Sequence, residues 1–201
     1  MLNKRTVIWM CLFLSIMAFG FVGCVPKTKR IPITWEPSFY ESSISRIVLM
    51  PIVDARPDKS FEVDLNDFKG RVKDTLEEKG YTVVLPNNYS ETMDITAEDV
   101  AEMSAKELAS LGLENEFFLL FVYVEDILSE YVIMAYKFKI EAVGSLISKS
   151  KKIELWRDKG IGRSGQGGLI SGLTQGLNRS GAYDGCVISM LESLPDKEIK
   201  K

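Results

Sequence analysis

Apolar and polar positions alternate along this chain in several distinct rhythms, and each rhythm predicts a different element. Residues 6–23 are an almost unbroken run of Val, Ile, Trp, Met, Leu and Phe behind Lys4 and Arg5, with small residues near its end. That is the layout of a secretory signal, and its length is also about the minimum that spans a hydrocarbon core as a helix. Residues 46–53, "RIVLMPIV", form a short continuous apolar run, the mark of a strand buried on both faces. Leu65, Phe68, Val72 and Leu76 then recur at spacings of three, four and four, which makes one stripe of an amphipathic helix. Asp64 is placed to cap that helix and Gly80 to stop it in the left-handed region. Residues 81–85 predict the next strand, so this portion reads as a βαβ unit with a right-handed parallel crossover.

Two further helix starts follow, Thr96 with Asp99 and Ser104 with Glu107, the second a capping box, and Gly112 is the expected stop. Residues 117–124, "FFLLFVYV", are apolar at every position and predict a central strand. From 131 to 142 the rhythm becomes strict alternation. Val132, Met134, Tyr136, Phe138, Ile140 and Ala142 share one face, and Lys137, Lys139 and Glu141 the other, as in a half-exposed strand. The polar, basic residues 148–152 predict a hairpin leading to a strand over 153–156. Nine of the fifteen glycines lie between 160 and 185, a stretch expected to form a loop before a short terminal helix over 186–194. The expected fold class is α/β (α+β): a single domain whose mixed sheet has a βαβ start and an antiparallel meander, with helices packed on the sheet.

Composition changes this picture at the N-terminus. Residues 21–27, "FVGCVPK", place a glycine directly before Cys24 and Val25-Pro26 after it, which resembles a bacterial lipobox with Val22 and Gly23 in the positions before the cut. Phe21 stands where such signals usually have leucine. The resemblance implies cleavage before Cys24 and lipid on its sulfur and amino group. Two or three acyl chains hold a protein stably at a membrane where one does not. An uncleaved helix would carry Lys4 and Arg5 before it and Lys27, Lys29 and Arg30 after it, a charge distribution that does not favour exporting the domain. The expected organisation is a lipoprotein signal peptide over 1–23, a lipid-anchored tether over 24–45, an α/β periplasmic domain over 46–195 and a charged tail over 196–201. Val25 is not the aspartate that tends to retain such lipoproteins at the inner membrane, so the expected location is the periplasmic face of the outer membrane.

The whole chain has a formal charge of −3, and the part after Gly23 is two units lower at −5, which argues against nucleic acid as a partner. There is no histidine, so His-based triads and His-ligated metal centres are excluded. Of three cysteines, Cys11 lies in the segment to be removed and Cys24 is the lipid site. Cys186 remains, either a reactive thiol or, in its apolar setting, a small buried hydrophobe.

The loop after the first strand places Asp54, Arg56 and Asp58 where α/β ligand sites often lie; they would bind a cation or a polar ligand, or make a local ion pair in a solvated turn. Gly168, Gly172 and Gly176 have the four-residue spacing of a close-packing helix face, suited to an oligomer or a membrane, or else belong to a loop. Gly160, Gly162 and Gly165 satisfy G-x-G-x-x-G in "GIGRSG" but lack the helix and acidic residue of a dinucleotide unit. Acid pairs Glu114 with Glu116 and Glu125 with Asp126 are the residues a carboxylate-based hydrolase would use, or else solvated strand ends. No cofactor or metal is expected.

The order "RIVLMPIVDARPD", "EEKGYTVVLP", "SAKELASLG", "FFLLFVYVED", "IELWRDKGIG" and "GQGGLISGL" resembles periplasmic lipoproteins related to the meningococcal GNA-type antigens. More distantly it resembles the curli secretion lipoprotein CsgG and the penicillin-binding-protein activator LpoB. This resemblance implies a tethered α/β domain that acts through contacts with an envelope protein, or with itself as a homo-oligomer, in envelope assembly or secretion, and no catalytic residues. The chain lacks the long membrane-inserting hairpins of CsgG, which speaks against a pore. The alternatives left open are a small-ligand module and a carboxylate-based envelope hydrolase.

Overall fold

The computed structural model describes residues 33–86, 97–111, 116–132, 135–167 and 175–197. Seven strands form one mixed sheet: β1 (Thr34–Trp35), β2 (Arg46–Leu49), β3 (Val53–Asp54), β4 (Thr82–Val84), β5 (Phe118–Val132), β6 (Ala135–Ser148) and β7 (Ile153–Gly167). Among the described residues four α-helices accompany them: α1 (Leu65–Glu78), α2 (Ala97–Glu102), α3 (Ala105–Leu111) and α4 (Gln175–Leu191). The sheet order is β1-β7-β6-β5-β2-β4, with β3 also beside β5. β2 runs parallel to β4 and β5, while β5, β6 and β7 form the antiparallel meander. This is the mixed α/β single domain that the rhythms predict.

Two-sided burial explains the continuous apolar runs. Ile47 and Leu49 of β2 and Leu120, Val122 and Val124 of β5 face α1 and α4, through Phe68, Val72, Leu76, Val187 and Met190. The intervening Val48, Leu119, Phe121 and Tyr123 face α2 and α3, through Val100, Leu108 and Ala109. Alternation returns where only one face is covered: Phe138 and Ile140 are buried while Lys137 is exposed. The helix signals hold locally. The Asp64 carboxylate accepts from Asn66 N and Asp67 N, Gly80 has φ +89°, and the Ser104–Glu107 capping box forms, Ser104 N donating to Glu107 Oε2 at 2.8 Å.

Four elements differ from expectation. The run 46–53 is two strands, because the chain leaves β2 at Met50–Pro51 and rejoins the sheet as β3. β5 continues through Glu125 and Asp126, past a bulge between Val124 and Asp126, to Val132. β7 extends to Gly167 and α4 begins at Gln175, so much of the glycine-rich stretch is strand and helix. The reason is close approach. A Cβ on Gly162 would overlap the Ala182 carbonyl, and one on Gly160 the Cys186 carbonyl, so α4 lies directly on the backbone of β7. The "GIGRSG" glycines therefore sit within a strand, where Gly160 and Gly162 seat a helix. Thr96, Gly112 and Met134 fall outside the described residues.

A buried polar chain fastens the far end of α4 to β7. Trp156 Nε1 donates to Ser193 Oγ at 2.9 Å, and Ser193 Oγ donates to Asp158 Oδ2 at 2.6 Å. All three residues are buried. At the edge of β7, Ser189 Oγ accepts from Ile161 N at 2.9 Å, so α4 also covers part of that edge. No helix among the described residues is long and apolar enough to cross a membrane.

Candidate functional site

The loop from β3 to α1 leaves the sheet at the C-terminal ends of its parallel strands. Arg56 is 4% exposed and turns back on Asp54, Nε donating to Oδ1 at 2.8 Å and one Nη to Oδ2 at 2.7 Å. The same nitrogen donates to the Phe61 carbonyl at 2.7 Å. Burial works to raise the Asp54 pKa, but the hydrogen bonds and charge of Arg56 outweigh it and hold the carboxyl below its usual value. Asp58 accepts from Ser60 N and Ser60 Oγ at 2.8 and 3.0 Å and points into solvent. The structure thus places Asp54 and Arg56 in one fork that braces the loop, with Asp58 in a separate local turn. Among the described residues no three His, Cys, Asp or Glu side chains are grouped to hold a metal.

The braced loop forms one wall of a cavity. Phe61 packs on Phe138 at 5.6 Å between ring centroids, and the Arg179 guanidinium of α4 lies 4.4 Å above the Phe61 ring centroid. Beside it opens a cavity of about 660 Å³ between the start of α1 and the first described turns of α4, lined by Glu62, Asp64, Asp67, Arg179, Ser180 and Tyr183 among others. Arg71 bridges the two helices below, pairing with Asp67 and Asp184 and donating to Ser180 Oγ at 3.0 Å. With three acids, a phenol, a hydroxyl and one guanidinium stacked on an aromatic ring, this open surface is suited to a polar or cationic partner group.

Cys186, on the sheet-facing side of α4, is fully buried, and burial pushes its thiol up to about 12. Glu125 of β5 pairs with Lys159 of β7 at 3.1 Å, reaching across β6, and Asp126 pairs with Lys139 of neighbouring β6 at 3.4 Å. Glu114, Cys24, Gly168 and Gly172 lie outside the described residues, and Gly176 falls in the first turn of α4. The cavity residues of α4 were missed from the sequence because glycines masked the start of that helix. Their signal was present: Arg179, Tyr183, Cys186, Met190 and Leu194 recur at spacings of three and four.

No protein-family model matches the chain, and no curated protein matches it. Among solved structures it is similar to the lipoprotein GNA1162 from Neisseria meningitidis, at 22% identity and a TM-score of 0.46, over 66% of this chain and 92% of that one. It is also similar to PelC from Paraburkholderia phytofirmans, a dodecamer, at 15% identity and a TM-score of 0.48, over 77% and 91% of the two chains. The LpoB C-terminal domain from Salmonella enterica matches at 10% identity and a TM-score of 0.39, over 59% and 82%. The first of these is a lipoprotein of the kind that the motif order of this chain resembles. At these identities and scores the likeness assigns no residue a role.

Proposed function

We propose that this chain is a lipid-anchored, non-catalytic accessory protein of the bacterial envelope, held through Cys24 at the periplasmic face of the outer membrane. The observation that carries the proposal is "FVGCVPK": an apolar signal-like run ends at Gly23-Cys24, followed by a short basic segment and then a folded domain. A dual or triple acyl anchor at Cys24 supplies stable attachment. The working surface of the domain is the cavity beside the braced 54–63 loop, and its occupant is a polar segment of an envelope protein. Arg56 and Asp54 keep the shape of that surface by binding each other. The absence of histidine and the burial of Cys186 favour recognition over catalysis.

The test is to grow cells with a labelled fatty acid and compare the wild-type chain with Cys24→Ala. Label on the wild type and none on the variant supports the anchor. Label retained by the variant overturns the assignment.

A further inference from the structure

The two ends of the sheet differ in chemistry. The cavity end carries Glu62, Asp64 and Asp67. The opposite end is the β6–β7 hairpin, residues 149–152, which reads Lys-Ser-Lys-Lys. Ser150, Lys151 and Lys152 are exposed there, and Lys149 is partly so. Beside the hairpin, Lys149 N donates to the carbonyl of Phe117, whose side chain is 64% exposed, and Phe117 shares a surface pocket with Arg46 and Glu116. On the other flank, the 3₁₀ turn Pro37–Phe39 packs where Glu36 N donates to Leu155 O, and it presents Tyr40 at 67% exposure. The three hairpin lysines thus lie beside two exposed aromatic rings, with Arg46 and Glu116 next to Phe117 on the β2 side, in a chain whose part after Gly23 has a net charge of −5.

The hairpin is built rather than loose. Lys152 N donates to Ser148 O at 2.8 Å, and Lys151 N to Ser148 Oγ at 3.3 Å. Lys152 has φ +56°, a left-handed conformation that suits glycine better than a residue with a side chain. A third cation thus stands where glycine would be easier.

We infer that this hairpin end is a second membrane contact, which docks the anchored domain on an anionic lipid surface. Basic side chains meet lipid phosphates while flanking Phe and Tyr enter the interfacial layer, as at other protein–membrane boundaries. The geometry permits it. Thr34 pairs with Arg157, five residues along β7 from Lys152, so the tether joins the domain about 17 Å from the hairpin. The nine residues 24–32 have a contour of at most about 30 Å, long enough for Cys24 and the hairpin to reach one surface together. Docked this way, the domain turns its acidic cavity away from the lipid, which places that surface where a periplasmic partner meets it. The inference rests on the anchored reading for its location.

The experiment uses the processed lipidated chain with Ser150→Cys carrying an environment-sensitive fluorophore; Cys11 leaves with the signal, Cys24 is capped by lipid and Cys186 is buried. The comparison label sits at Glu130→Cys, an exposed position at the far end of β5. Expected is a blue shift at position 150 in vesicles of phosphatidylglycerol and phosphatidylethanolamine, lost in phosphatidylcholine, with none at position 130. Lys151→Gln with Lys152→Gly, which suits the local backbone, should lower the docked-to-undocked ratio roughly thirtyfold, since each lysine contributes about fivefold. A label at 150 that stays in water while the protein co-sediments with vesicles overturns the docking alone. A shift produced equally by a soluble acidic protein, without vesicles, assigns the surface to a protein partner and overturns the lipid. A chain that co-sediments with neither vesicle overturns the anchored reading and the docking with it.

Discussion

Replacing Gly162 by alanine adds one methyl group where α4 crosses β7. The new Cβ would overlap the carbonyl oxygen of Ala182 and approach the backbone nitrogen of Cys186 at 2.7 Å, and neither belongs to a flexible side chain. Relief requires α4 to lift from the sheet, loosening Tyr183, Cys186, Val187 and Met190 from the core. Overpacking of this kind costs about 3 kcal/mol, toward the upper end of its range, because the obstacle is backbone. Gly70 in α1 is the control: nothing lies within 4 Å of its added Cβ, so alanine there should stabilise by about 1 kcal/mol through helix propensity. Conformational propensity alone would favour alanine at both positions, so opposite signs isolate the close approach. The assay is thermal and urea denaturation of the full-length protein in mild detergent. Gly162→Ala should lower Tm by roughly 10 °C and Gly70→Ala raise it by roughly 3 °C. A Gly162→Ala protein as stable as wild type would refute the claim that these glycines seat the helix.

The polar chain under α4 gives a second expectation: Ser193→Ala removes the hydroxyl that links Trp156 Nε1 to buried Asp158 and should cost about 2–3 kcal/mol, measured as a lower urea midpoint at unchanged slope. The Asp54–Arg56 fork gives a third. The folded pKa of Asp54 lies below its unfolded value, so its contribution is present above about pH 4 and is lost as pH falls through the folded pKa. Asp54→Asn should cost about 3 kcal/mol near neutrality and flatten the decline of stability on the acid side; equal slopes in both proteins would show that the fork does not titrate.

The sequence was most legible where burial was complete or strictly periodic. Residues 117–124 read as strand because helices cover both faces of β5, and α1 because Phe68, Val72 and Leu76 all reach the core from one stripe. The second half of β5 was illegible for a physical reason. Glu125, Asp126, Leu128 and Glu130 are exposed on a sheet extension whose partner strand carries Lys137 and Lys139, and with Ile127 packed on the core beside exposed Leu128 no alternating apolar signal marked it. Glycine concealed β7 and α4, because its low propensity for both elements is set aside only by a helix–strand contact that local sequence does not announce. The candidate site was half legible. The braced loop follows a recognisable strand, but the cavity exists only because Arg179, Ser180 and Tyr183 are brought back over Glu62 and Asp67 from more than a hundred residues away.

The central claim is that Cys24 is the first residue of the working protein and its membrane anchor. The direct measurement is the intact mass and N-terminal peptide of the protein extracted from purified outer membranes. The account predicts a chain that begins at Cys24 and carries a diacylglyceryl group with acylation of the new amino terminus. A chain that begins at Met1, or one that begins elsewhere with Cys24 as a free thiol, contradicts it.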